Sequence, residues 1–554
     1  MFFHSLDYML FLGLALTAFW WLATHVSMRR MGFPLVLLAS AVYFGRAWDG
    51  DYFLPIMALV VVDFLSTKGT LRERVNAFLS REHAARVTLI FVLSCAFYMA
   101  WQANYIWLIL ASTCLDYFVG LQIPRAKKRI LKRALLSLSL VGNLGLLFAF
   151  KYYNFFAAEL GEALAGADIH VSMPLLQAAL PVGISFYTFQ TLSYTIDIYR
   201  GTLKPARDFI TFAAFVSYFP QLVAGPIVRA SELLPQLESK PRVTREQISD
   251  GLFLIATGLV KKFAIADYLA LGLVDRVFVE PEKFTALEVV VALYAFTMQL
   301  YCDFSGYTDV ARGSAKLMGF EMPKNFDRPY QATNPAEFWR RWHMTLSRWL
   351  RDYLYFPLGG SRKGPVRAYW NLYLTMFLVG IWHGNSANFM VFFWYANLQA
   401  VAMLLHRLWN RNAKGRGLFF RPIDADDKEV AADAPSQGPG WRMPIFVFLN
   451  LQFVVFSRIL FRAGAETEPM EVSASLVDRI LHGSWTAIQV PWSMWVLLIV
   501  TFALHFTPTR YFNFAAESFR RVPPLWKGVL LALVAFVLME VGAREALPFQ
   551  YFQF

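Results

Sequence analysis

The chain has 554 residues, of which 57% are hydrophobic and only 16% charged, and it carries a formal net charge of +13. A soluble domain carries about 25% charged residues. This composition therefore excludes an ordinary water-soluble globule and predicts an all-α, polytopic integral membrane protein with about 11–13 membrane segments. The basic surplus sits in short loops between apolar runs, not in one stripe, which excludes a nucleic-acid partner and makes the lipid bilayer the partner the charge addresses.

The first apolar run, roughly 8–27, has no basic region before it and no small-residue cleavage site, so it reads as a retained span. Further spans are expected near 33–48, 52–66, 87–101, 104–121, 135–153 and 176–198. Charge alternates between them. Arg29 and Arg30 follow the first, Asp49 and Asp51 the second, and Lys68, Arg72, Arg74, Arg81 and Arg86 the third. Neutral Gln102 to Asn104 comes next, then Arg125 to Arg133 with six basic residues, then Glu159, Glu162 and Asp168. Basic loops face the cytoplasm, so one assignment fits: N-terminus outside, basic loops inside. Tyr43, Trp48, Tyr52 and Asp63 are echoed by Tyr98, Trp101, Tyr105 and Asp116, which predicts a duplicated helical hairpin with aromatics at the outer interface.

Beyond residue 200, Pro and Gly interrupt the apolar runs, and segments 208–224, 250–274, 288–303, 371–407, 443–462, 489–506 and 525–543 remain membrane candidates. The stretch 412–441 is polar and reads as an exposed loop. Cys95, Cys114 and Cys302 lie in or beside apolar runs without metal-ligand spacing and are expected to be small core residues, and no metal is expected.

Four segments could carry chemistry. In Ser217–Arg229, Pro220, Gly225 and Pro226 cannot sustain one straight helix. Broken backbone at membrane depth must be buried in protein or line a cavity. In Cys302–Arg312, Asp303, Ser305, Tyr307, Asp309 and Arg312 crowd the end of an apolar run, and Asp309 and Arg312 are spaced to pair on a helix. In Asn325–Arg351, Thr333 or Asn334 can cap a helix opened by Pro335. That helix would carry an apolar stripe of Phe338, Trp342, Leu346, Trp349 and Tyr353 opposite Arg340, His343, Ser347 and Arg351. It would either rest on the lipid surface or turn its basic face toward an anionic substrate. The fourth segment holds His383, the one acidic or basic side chain between Leu372 and about Leu405. A polar group at that depth must be held by a neighbour or used in chemistry. The remaining histidines, His4, His25, His83, His170, His406, His482 and His505, are read as incidental.

Five motifs carry a resemblance: Phe-Pro-Gln-Leu-Val-Ala-Gly-Pro-Ile (219–227), Cys-Asp-Phe-Ser-Gly-Tyr-Thr-Asp (302–309), Pro-Lys-Asn-Phe-Asp-Arg-Pro-Tyr (323–330), the run from Phe338 to Gly360, and Gly-Ile-Trp-His-Gly (380–384). Together and in this order they resemble the membrane-bound O-acyltransferase family, in particular its bacterial alginate O-acetyltransferase branch. The resemblance covers roughly 88–465. It divides the chain into N-terminal spans with an added hairpin (1–87), a catalytic core (88–465), and a tail with further spans (466–554). It implies a funnel-shaped bundle with re-entrant or amphipathic helices in a bacterial inner membrane. It also implies His383 as the catalytic histidine and His343 as the second polar residue of the active site.

Removing the acceptor's proton suits an imidazole with an ordinary pKa of about 6.5. Arg340, Arg341 and Arg348 are candidates for coenzyme phosphates, and Ser347, Asp303, Tyr307, Asn385 and Trp382 complete the candidate donor and acceptor contacts. The implied donor is acetyl-CoA, or an acyl carrier, with no permanently bound cofactor. The implied acceptor is an exported polysaccharide, reached directly or through a periplasmic relay protein. A teichoic-acid D-alanyl transferase and a lipid acyltransferase share the same chemistry. A transporter would instead show inverted repeats across both halves, and an export scaffold would need neither histidine.

Overall fold

The computed structural model describes residues 11–19, 82–169, 174–177, 180–413 and 443–541, and no strand occurs among them. After helical residues 11–19 come α1 (Glu82–Met99), α2 (Ile106–Arg125), α3 (Arg129–Lys151), α4 (Tyr153–Ala165), α5 (Ile184–Arg200), α6 (Phe209–Ser217), α7 (Phe219–Leu222), α8 (Ala230–Glu238) and α9 (Arg245–Leu259). The second half contributes α10 (Asp275–Val279), α11 (Ala286–Leu317), α12 (Pro335–Arg341), α13 (Met344–Leu350), α14 (Pro365–His383), α15 (Phe389–Ala413) and α16 (Met443–Ala463). It closes with α17 (Pro469–His482), α18 (Trp492–Phe506), α19 (Thr509–Arg521) and α20 (Pro524–Val541).

Five described helices are long and apolar enough to cross a membrane, or six if α18 and α19, bent by 92°, form one span. Two shorter apolar stretches, Ala84–Met99 and Pro524–Leu538, accompany them. The spans expected at 33–48 and 52–66, the first copy of the hairpin echo and most of the polar loop at 412–441 lie outside the described residues.

The surface logic is that of a protein dissolved in lipid. Helix α3 exposes Leu138, Val141, Leu144 and Phe148 on one side and buries Ser139, Asn143 and Lys151 on the other. In water the two faces would be exchanged. In a bilayer each buried polar group needs a protein partner; Lys151 finds one in the Trp382 carbonyl, and Ser139 and Asn143 find one in Asp116 of α2. Ser139 Oγ donates to it at 2.6 Å and Asn143 Nδ2 at 2.9 Å. Cys95 and Cys302 are buried as expected, but Cys114 is exposed on α2, because lipid accepts a small apolar side chain as readily as a core does.

Helices α9 and α11 form the centre. Their backbones nearly touch at two glycine pairs seven residues apart. A Cβ on Gly258 would stand 2.6 Å from the Gly306 carbonyl oxygen, and one on Gly313 would stand 2.6 Å from that of Gly251. Small residues at such crossings let helices pack where no hydrophobic effect drives them together. Past Leu259 the helix widens into π-helical turns over Val260–Asp267 and Ala270–Val274. There Lys261 reaches Asp309 at 2.6 Å, and Lys262 reaches Asp303 at 2.9 Å and Asp267 at 2.8 Å. Asp309 and Arg312 do pair, at 3.8 Å.

Three expectations are corrected. The stretch 371–407 is not one segment but the antiparallel pair α14 and α15, closed where Tyr373 Oη donates to Asn397 at 2.6 Å. Asn388 Oδ1 accepts the Asn385 N–H at 2.7 Å, and Asn385 Oδ1 accepts that of Ala387 at 2.8 Å. These side-chain turns compete with the helix and reverse the chain directly after His383. The amphipathic helix across 335–351 is likewise two helices, capped at its start by Asn334 as expected (2.9 Å to the Glu337 N–H) but broken at Trp342–His343. Finally, His505 is not incidental. It is buried, and its Nε2 accepts the Tyr330 N–H at 3.2 Å, docking α18 onto the loop before α12. The broken backbone at 217–228 is wholly buried in protein, as its Pro and Gly content requires.

Candidate functional site

His343 occupies the break between α12 and α13 with φ 43°, ψ 53°, the left-handed region that non-glycine residues seldom adopt. The 323–330 motif holds it there. Asn325 O accepts the Met344 N–H at 2.9 Å, Asp327 N–H donates to Arg341 O at 2.9 Å, and Asn325 Oδ1 accepts the Thr345 hydroxyl at 3.0 Å. The strained turn drives the ring inward, where it is 1% exposed. It lies between Phe304 (centroids 4.9 Å apart) and Phe186 (6.1 Å). Among the described residues neither ring nitrogen has a hydrogen-bond partner. A strained, buried and unsatisfied imidazole is costly, and such outliers cluster at functional sites.

His383 ends α14, buried against Trp382 (4.8 Å) and Phe461 (5.5 Å). Phe186 links the two histidines, because its ring also meets Trp382 at 6.4 Å. Lys151, His343 and Arg458 all lie near enough to act on the His383 ring electrostatically. The end of α3 clamps this helix terminus. Lys151 Nζ donates to Trp382 O at 2.5 Å, Tyr152 Oη to Ile381 O at 3.1 Å, and Ser386 Oγ to Lys151 O at 2.9 Å. A cation on the last carbonyls also suits the helix dipole.

The structure thus brings His383, His343 and Trp382 to one aromatic wall and gives the other candidates different work. Arg341 is already paired within the protein. Its guanidinium is spent on Glu337 at 2.9 Å, with Asp327 at 3.9 Å. Burial would raise the Glu337 carboxyl, but hydrogen bonds from Thr333 and the Arg341 charge outweigh it and hold it below its ordinary value. Arg340 is exposed, Arg348 is 41% exposed and 4.0 Å from Glu232, and Ser347 Oγ donates to Trp339 O at 2.8 Å. Asp303 belongs to the Lys262 ion group, Tyr307 is buried on the same helix, and Asn385 shapes the turn after His383. Arg341→Gln is therefore expected to lower stability by about 1–3 kcal/mol, measured by thermal unfolding in detergent, while the KM for the acyl donor stays unchanged.

Sequence reasoning missed Lys151 and Arg458. Both left a signal. Lys151 closes span six on the side where the charge alternation expects no basic residue, and Arg458 lies within the apolar run 443–462.

An all-α bundle of apolar spans enclosing two buried histidines defines a multi-pass membrane protein. Residues 205–414 match the membrane-bound O-acyltransferase (MBOAT) family. The probable alginate O-acetylase AlgI of Pseudomonas putida is 35% identical over 497 residues, covering 85% of this chain and 94% of that one. The peptidoglycan O-acetyltransferase of Helicobacter pylori is 35% identical over 340 residues (57% and 63%). At lower identity, 29% over 248 residues (42% and 61%), stands the teichoic acid D-alanyltransferase of Bacillus subtilis. The chain belongs to the MBOAT family and is an O-acyltransferase.

Proposed function

We propose that the protein takes acetyl from cytoplasmic acetyl-CoA and delivers it to hydroxyl groups of an exported cell-envelope polysaccharide, directly or through a periplasmic partner, with His383 as general base. The observation that carries this reading is the shared wall: a buried imidazole at a helix end, clamped from behind by Lys151 and Tyr152, beside a second imidazole with both nitrogens unspent. His383 takes the acceptor's proton. His343 orients the acceptor hydroxyl or the acyl carbonyl. The enzyme lies in a bacterial inner membrane with its N-terminus outside, so that donor and acceptor meet from opposite sides. The alginate and peptidoglycan acetylating relatives support a polysaccharide acceptor, and the D-alanyl relative keeps a second donor in view.

The test uses membranes containing the full chain and the products of its neighbouring genes, supplied with radiolabelled acetyl-CoA on the cytoplasmic side. Label should enter the polymer with the parent and not with His383→Ala or His343→Ala. Undiminished labelling in both variants would defeat the reading. Incorporation of D-alanine with no acetyl would replace the donor alone. Lys151→Met should lower transfer by roughly 10- to 10²-fold by releasing the end of α14, seen as reduced kcat in the same membranes with normal protein levels.

A further inference from the structure

We propose that Arg458 is a further catalytic residue of this site, donating to the acyl carbonyl oxygen and holding the negative charge that develops there during transfer. The proposal rests on the reading of His383 as the base. Helix α16 is a candidate membrane span that buries two arginines one turn apart. Arg462 is compensated, by Glu466 at 2.5 Å and Asp275 at 3.0 Å. Arg458, only 2% exposed, has no carboxylate partner among the described residues, and its Nε and Nη2 have no hydrogen-bond acceptor there. Its guanidinium is within hydrogen-bonding reach of the Tyr330 and Tyr395 hydroxyls, which leaves Nε and Nη2 uncommitted, and it lies over the rings of Trp342 (5.2 Å) and Phe461 (5.3 Å). Trp342 precedes His343, and Phe461 packs on His383. The uncommitted N–H groups therefore lie among the neighbours of both histidines.

A guanidinium stays protonated in proteins, and an unpaired charge at membrane depth is expensive. Cation–π contacts return only part of that cost. Such a group fits an anion. Neither a thioester carbonyl nor a sugar hydroxyl carries charge, so the negative charge arises only in the adduct between them. The acceptor oxygen bonds to the acyl carbon and its proton passes to His383, while the carbonyl π pair moves onto oxygen and is held by Arg458. Collapse of the adduct breaks the carbon–sulfur bond, and the departing thiolate takes the proton from His383. Lys151, the other nearby cation, is committed to the Trp382 carbonyl, which leaves Arg458 to serve the oxyanion.

The test compares the parent with R458Q, R458K and H383A as full-length proteins in lipid nanodiscs. Two probes are titrated: a CoA thioether lacking the carbonyl, and a CoA methylphosphonothioate that is tetrahedral and anionic at the acyl position. R458Q should weaken the anionic probe by about 100-fold and the thioether by less than about 3-fold, with kcat down by a factor of about 10² to 10³ and KM nearly unchanged. R458K, which keeps the charge, should fall between. Equal loss of both probes would overturn the proposal. So would an R458Q kcat within about 3-fold of the parent beside an inactive H383A, or failure of both Arg458 variants to elute as folded protein. An active H383A, with the selective loss of the anionic probe still seen in R458Q, would retire the base and keep the anion site.

Discussion

Replacing His383 with alanine is expected to lower acyl transfer by about 10² to 10⁴-fold, the contribution of a positioned general base, while the chain still inserts and folds. The ring makes aromatic contacts with Trp382, Phe392 and Phe461, and the restraints on its helix end come from Lys151 and Tyr152 through backbone carbonyls. Alanine leaves those restraints in place. The stability loss should then be about 0.5–3 kcal/mol, the ordinary range for a point change. Transfer measured with labelled acetyl-CoA, together with size-exclusion profiles of the same preparation, separates the two effects. Transfer retained within about 10-fold of the parent would leave His383 a packing residue.

Gly258→Leu is expected to cost about 3 kcal/mol or more and to abolish the folded protein at growth temperature. A Cβ there meets the Gly306 carbonyl oxygen at 2.6 Å and a Val310 methyl at 2.8 Å. The oxygen belongs to helical backbone and cannot rotate aside as a flexible side chain would. Relief requires the two central helices to separate. That would stretch Lys261–Asp309 and Lys262–Asp303 together, leaving buried charges without partners. The control is Gly145→Leu on α3, where a Cβ meets nothing within 4 Å. A thermal shift for Gly258→Leu no larger than that of the control would show that the crossing is not tightly held.

The class of protein was legible in the chain because lipid imposes its demands on composition and run length, which are local properties. Low charge and apolar runs sufficed to predict an all-α membrane protein, and the ordered motifs, through their resemblance to the O-acyltransferase family, implied acyl transfer and marked both histidines as candidates. The sequence pattern also placed Thr333 or Asn334 at a helix start and required the Pro- and Gly-broken 217–229 stretch to be buried in protein or to line a cavity, because capping and backbone breakage depend on residues close in the chain. Periodicity misled at 335–351 and 371–407. A regular apolar spacing looks continuous even where a histidine in the left-handed region, or a pair of asparagine turns, reverses the backbone.

What only the tertiary structure decided is how distant charges are matched. The sequence offered Arg341 as a candidate phosphate ligand, and the fold sets it against Glu337 and Asp327. It showed Arg458 and Arg462 as equals on one apolar run, but Asp275 and Glu466 compensate Arg462 alone. It left the basic face carrying His343 either on the lipid surface or turned inward, and Asn325 and Phe304 turn His343 inward. Burial and pairing depend on groups brought together from far along the chain, and no local pattern records which partner a charge will meet.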